Sequence, residues 1–233
     1  MKPFVITLVL SIGVSLCACA QNPQGSSEEY RRNFVTTMMN EAKQGKADAQ
    51  CFLGIMYQKE IGVAKNESEA ASWYRKAVEQ GNVSAASVLG LMYADGLGVP
   101  HSEEQALAWF RKGAQSALRE FSKQPFHFAG GYEGAIKAAE SGNALAKTTV
   151  GKMYLTGSGV AQNDAEAVRW LTEGTKGFAA AGAQQALGLL YEEGRGGLPK
   201  DKAEAIRLYR KAAQQTAATL ESTVGMFYQF GPV

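Results

Sequence analysis

The chain has 233 residues, 45% of them hydrophobic, with 24 Lys and Arg set against 22 Asp and Glu. So even a balance excludes the basic stripe with which a nucleic-acid binder replaces phosphate counterions. Three cysteines and two histidines are too few for a zinc or disulfide framework, so stability must come from a packed core, which a chain of about 200 residues is long enough to bury.

In chain order, residues 1–20 read as an export signal: Lys2 is the positive start, Phe4 to Leu16 the apolar run, and Ser15 to Ala20 a stretch of small residues. The run falls short of the ~20 apolar residues that span a bilayer. Ala18-Cys19-Ala20 fits a small-x-small cleavage site, whereas Leu16-Cys17-Ala18-Cys19 fits a lipobox with lipidation at Cys19. The lipoprotein is the preferred reading, because residues 21–29 form the polar linker that an anchored domain needs. A freely secreted chain is the alternative. On either reading the protein is exported to the periplasm and meets a membrane only through that anchor. Past the signal only Cys51 remains, so no intrachain disulfide is expected.

From 30 to 231 the chain is repetitive. A half-repeat occupies 30–45, full units fall at 47–82, 83–116, 143–177 and 180–215, a short degenerate unit at 117–142, and a closing half-repeat at 217–231. The first half of a unit carries Leu53-Gly54-Ile55-Met56-Tyr57, repeated as Leu89 to Tyr93, Val150 to Tyr154, Leu187 to Tyr191 and Val224 to Tyr228, with successive glycines 36, 61, 37 and 37 residues apart. A 100° step per residue sets Leu53, Gly54, Met56 and Tyr57 on one arc of a helix and turns Ile55 away. A glycine in mid-helix costs about 1 kcal/mol against alanine, which implies a close approach, here to small Ala70 and Ala77 on the facing helix. Gly62, Gly96-Leu97-Gly98, Gly157-Ser158-Gly159 and Gly194-Arg195-Gly196 break the hairpins; the first connection has Glu60 where the others have their leading glycine, and Gly197 is an extra residue. Second helices follow, as in Ala70-x-x-Trp73-Tyr74-Arg75-Lys76-Ala77. Each opens on a cap and an acidic or amide residue three positions on: Asn66 and Glu69, Ser102 and Gln105, Asn163 and Glu166, Asp201 and Glu204, predicting capping boxes.

These motifs and their spacing resemble the Sel1-like repeat family, a relative of the tetratricopeptide repeats, from about Ala47 to Gln214, with half-repeats on either side. The resemblance implies an all-α fold, an α/α solenoid of helical hairpins wound into a right-handed superhelix. It also implies that first helices line a concave surface that holds a protein or peptide, often in a bacterial envelope, a secretion system or a regulatory pathway. The far-side positions then become the partner-binding candidates: Ile55, Gln58 and Lys59; Leu91 and Asp95; Lys152 and Leu155; Gln185, Leu189, Glu192 and Glu193. They vary from unit to unit, and Ile55, Leu91 and Leu189 set apolar groups opposite the core arc. The shortened unit at 117–142 should disturb the superhelix locally.

Catalytic chemistry finds little support. The Gly-x-Gly turns follow helices, whereas a dinucleotide loop follows a strand. His101 stands beside a helix cap and His127 in an aromatic loop, and neither has the neighbours of a metal or catalytic site. No G-x-S-x-G or H-E-x-x-H motif occurs, and Cys51 lacks a partner base in sequence. Glu103 and Glu104 fit first-turn charges favoured by the helix dipole, while Glu192 and Glu193 end a first helix where the groove should open. No cofactor is expected. The leading expectation is a non-enzymatic envelope adaptor, regulator or inhibitor with one protein partner, including an immunity protein against a secreted antibacterial toxin. A cell-wall or β-lactam-binding hydrolase is the enzymatic alternative, against which stands the absence of the paired cysteines of the relatives linked to that activity. A structural envelope scaffold is the third reading.

Overall fold

The computed structural model describes residues 27–123, 128, 130–177 and 180–230. The signal at 1–20 with Cys19, most of the linker, His127 and Gly231 lie outside the described residues. Among the described residues there are ten α-helices and no strand: α1 (Ser27–Lys43), α2 (Ala47–Lys59), α3 (Glu67–Glu79), α4 (Val83–Asp95), α5 (Glu103–Lys123), α6 (Gly131–Glu140), α7 (Ala144–Thr156), α8 (Asp164–Gly174), α9 (Ala180–Glu193) and α10 (Lys202–Phe230). None of these is long and apolar enough to cross a membrane. Helices α5 and α10 run without a break through the unit boundaries placed at 116/117 and 215/217.

The caps explain where the second helices begin. Asn66, Asn163 and Asp201 each accept the backbone N–H three residues on, at 3.0, 3.1 and 3.0 Å, which satisfies a donor that the helix leaves unpaired. The reciprocal half of the capping box is absent at these three. The N–H of each cap instead goes to the carbonyl of the tyrosine that ends the preceding first helix, Tyr57, Tyr154 or Tyr191, at 2.9 to 3.0 Å. Glu166 and Glu204 turn outward to Arg169 and Arg207. First helices have caps that the sequence reading overlooked: Asn82 accepts from Ala85 N–H and Asn143 from Ala146 N–H.

The mid-helix glycines do mark close approaches, but the neighbour is a large side chain and not the small alanines. A β-carbon on Gly54 would stand 2.6 Å from the Tyr74 ring, one on Gly188 2.5 Å from the Tyr209 ring, and one on Gly151 2.6 Å from Leu171 Cγ. Each glycine is thus a slot for the residue 20 or 21 positions later on the paired helix. At Gly225 the slot is open among the described residues.

The helices gather into two compact units, one made of the residues up to Ser102 together with those from Ala217 onward, the other of Glu103–Thr216. In the first unit α1 and α2 pack on the last turns of α10. Tyr30 donates its hydroxyl proton to the Phe227 carbonyl at 2.9 Å, Phe34 meets Tyr228 edge-on at 6.2 Å, and Phe52 lies 6.4 Å from Phe227. Within the same unit Gly98 lies on the first turn of α3, so close that a β-carbon would fall 2.3 Å from the Glu67 carbonyl carbon. The second unit has a core of Leu155, Leu171, Leu187, Leu190 and Leu208 and a second cluster around Val150, Met153 and Trp170.

Candidate partner-binding cleft

In the second unit, α5 fills part of the surface expected to stand open. Ala114, Leu118 and Phe121 recur at four and three residues along its extension, one face of a helix. Leu118 packs on the Leu155–Leu187 core and Phe121 on the Val150–Met153 cluster. Beside α5 is a cleft of about 210 Å³ lined by Gln115 and Leu118 of α5, Leu155 and Thr156 of α7, Leu189 and Glu193 of α9, and Arg195 of the following turn. Leu155 and Leu189, 6% and 5% exposed, are its floor.

Its polar wall is braced. Arg195 sends Nε and Nη2 to the two carboxylate oxygens of Asp164, both at 2.9 Å, and Nη1 to Glu193 at 2.8 Å. A two-pronged guanidinium–carboxylate pair fixes orientation as well as contact, and hydrogen bonding to Asp164 and then Glu193 holds the Arg195 pKa above its ordinary value. Thr156 donates its hydroxyl proton to the Lys152 carbonyl at 2.8 Å. An apolar floor between polar rims is the make-up of a recognition cleft.

The sequence candidates divide sharply. Leu155, Leu189 and Glu193 line the cleft. Lys152 is on α7 one turn before them, half-buried, with its ammonium 5.6 Å from the centre of the Phe121 ring. Gln185 is half-buried on α9. Glu192, placed in an open groove by the sequence reading, is buried: Arg111 Nε donates to its Oε1 at 2.7 Å, Arg111 Nη2 donates to the same atom, and the Tyr209 hydroxyl donates to its Oε2 at 3.2 Å. Burial and then the charge of Glu192 push the Tyr209 phenol up, and Tyr209 also stacks on Phe110 at 5.9 Å. Glu192 is therefore tied into the structure, because each carboxylate oxygen already has a donor.

The first unit bears on five more placements. Ile55 is fully buried. It shares a face of α2 with Phe52 three residues before and Lys59 four residues after, whose partners are Phe227 and Glu221, so the end of α10 covers what should be open groove. Lys59 is paired with Glu221 at 2.8 Å, and Gln58 accepts the Tyr74 hydroxyl at 3.0 Å. Leu91 is buried on α4, and Asp95 is exposed at its end, in the unit without the cleft.

Gln115, Leu118, Thr156 and Arg195 were missed. The spacing of Ala114, Leu118 and Phe121 past Gly113 was the available signal for the first two; for Arg195, inside a glycine turn, none was. Cys51 is enclosed, and burial followed by the charge of Asp48 pushes its thiol far up, which leaves no thiolate for chemistry. Among the described residues no three His, Cys, Asp or Glu side chains gather as metal ligands would.

The family model described as Sel1 repeat matches residues 47–82, 83–117, 144–175 and 181–216, more than half of the chain. No curated protein matches it. Two solved structures are similar. A Sel1 repeat protein from Oxalobacter formigenes is 27% identical over 88% of this chain and 85% of its own, with a TM-score of 0.38. A protective antigen present in uropathogenic Escherichia coli strains, displaying an SLR fold, is 23% identical over 95% of this chain and 56% of its own, with a TM-score of 0.39. Helical-hairpin units with their glycine slots, asparagine caps and matching family model give one assignment: the chain belongs to the Sel1 repeat family.

Proposed function

We propose that this chain is an exported, non-enzymatic binding protein that holds a segment of one protein partner in the cleft of its second unit, as an adaptor, regulator or inhibitor. Sel1 repeat proteins generally mediate protein–protein interaction, and fold membership alone leaves the site to be argued from its residues. The observation that carries the reading is the cleft itself, lined by half-buried Leu118 and buried Leu155 and Leu189 together with Gln115, Thr156, Glu193 and Arg195. Neutralisation of a secreted toxin is the narrower form of the proposal. Residues 1–20 support export and Cys19 supports a lipid anchor.

The test is affinity capture from envelope extract with the wild type beside Gln115→Trp, a bulky substitution at an exposed rim position. A partner held by the wild type and lost by the folded variant supports the cleft. Equal capture by both places recognition elsewhere. Mass spectrometry of the mature N-terminus decides the anchor: a lipid-modified Cys19 supports it, and an unmodified chain starting at Gln21 overturns it.

A further inference from the structure

Lys152 stands on α7 one helical turn before Leu155 and Thr156, and Phe121 on α5 one turn after Leu118, beside the residues that line the cleft. Lys152 is unlike the other cations around the cleft. Arg195 is held by Asp164 and Glu193, and Arg111 by Glu192. The Lys152 ammonium forms no ion pair among the described residues. Its surroundings are the Phe121 ring, 5.6 Å from Nζ, and the bare backbone of Gly182, where a β-carbon would come within 2.9 Å of Nζ. The Lys152 side chain is half-buried and so partly open to solvent. Burial alone pulls its pKa down to about 8, the mark of a charge that has lost water and gained no counter-charge.

Resting on the cleft reading above, we infer that the occupant of the cleft is a protein segment that sets an Asp or Glu side chain on Lys152 and, next to it, an apolar side chain on Leu118, Leu155 and Leu189. A carboxylate would supply the counter-charge that the chain withholds, in surroundings where an ammonium–carboxylate hydrogen bond is strong. Gly182 leaves the room beside Nζ that a side chain there would fill. At the other end, Glu193 disfavours a second acidic residue, which orients the segment.

The experiment pans a random seven-residue peptide library on three full-length proteins: wild type, Lys152→Met and Gln115→Trp, each checked for wild-type helicity and melting. Lys152→Met keeps the length of the side chain and removes its charge. The inference expects peptides enriched by the wild type over Gln115→Trp to carry one Asp or Glu beside Leu, Ile or Phe. It expects Lys152→Met to lose the acidic preference while keeping the apolar one, with a selected peptide binding about tenfold or more weakly in fluorescence anisotropy. Cleft-dependent peptides that are apolar without an acidic residue overturn the inference and leave the cleft reading standing, as does an acidic preference that Lys152→Met retains. The same peptides enriched by wild type and Gln115→Trp, or none enriched by the wild type over that variant, overturn the cleft reading and the inference with it.

Discussion

Glu60 has φ 59°, the left-handed region, and it stands where later repeats have Gly96, Gly157 and Gly194. A side chain there crowds the following carbonyl, which costs roughly 1–2 kcal/mol, partly offset because glycine loses more chain entropy on folding. We expect Glu60→Gly to raise stability by roughly 0.5–1 kcal/mol in denaturant titration, since the side chain makes no ion pair that would be lost. A destabilised variant would mean that the left-handed cap is not retained in solution. The glycine slots point the other way. Gly188→Ala puts a methyl group into the Tyr209 ring, and that ring cannot retreat, being stacked on Phe110 and tied to Glu192. Overpacking of this kind costs about 1–3 kcal/mol, so the melting temperature should fall by several degrees, while Gly225→Ala, at an open slot, should leave it unchanged or raise it. That some large group would fill each slot was legible from a glycine in mid-helix; which group was not, because the sequence reading paired small with small and the helices pair absent with large.

At the scale of the element, periodicity and caps read well and helix length read badly. Asn163 caps α8 as expected, and Asn163→Ala should cost about 1 kcal/mol by thermal unfolding, with Ser restoring most of it. Helix α5 is the instructive failure. Its first turns follow the repeat, but Gly113 is a helical residue and not a stop, and the next turns lay Leu118 and Phe121 over two neighbouring clusters. That tertiary contact leaves a short cleft in the second unit, where groove was expected, and puts an aromatic ring over Lys152. A consequence follows for pH. Lys152 has a folded pKa near 8, below its ordinary 10.5, so between those values the unfolded chain binds more protons than the folded one and stability rises with pH. Below about pH 8 the penalty is present in full. Lys152→Met should therefore be more stable than wild type at pH 7, by an amount on the order of 2 kcal/mol, and the advantage should shrink steadily between pH 8 and 10.5. Equal stabilities throughout would show the ammonium to be solvated.

At the scale of the molecule, the repeat motif announced the units of sequence but not the units of packing. The residues of α10 divide between the two, Lys202–Thr216 with one and Ala217–Phe230 with the other, although the helix is unbroken. A terminal half-repeat has an apolar face and no next neighbour to cover it. In the first unit Phe34 of the opening half-repeat and Phe52 of the first full unit meet Tyr228 and Phe227 of the closing half-repeat, and Ile55, on the Phe52 face of α2, is buried. A reading made one unit at a time could see both unfinished faces and had no means of seeing that they finish each other, because nothing in local spacing reports a hydrogen bond between residues 197 positions apart. Phe227 is 3% exposed, so Phe227→Ala removes a buried ring that packs on Phe52 of α2, next to the carbonyl that takes the Tyr30 hydroxyl of α1, and should cost about 3 kcal/mol. If the pairing holds the first unit together, the loss falls on that unit. Amide hydrogen exchange should then quicken in α1 and α2, while α7 and α8, in the other unit, keep their protection. Equal quickening in all four helices would mean that the chain unfolds as one cooperative body, and unchanged exchange in α1 and α2 would mean that the ends do not pair in solution.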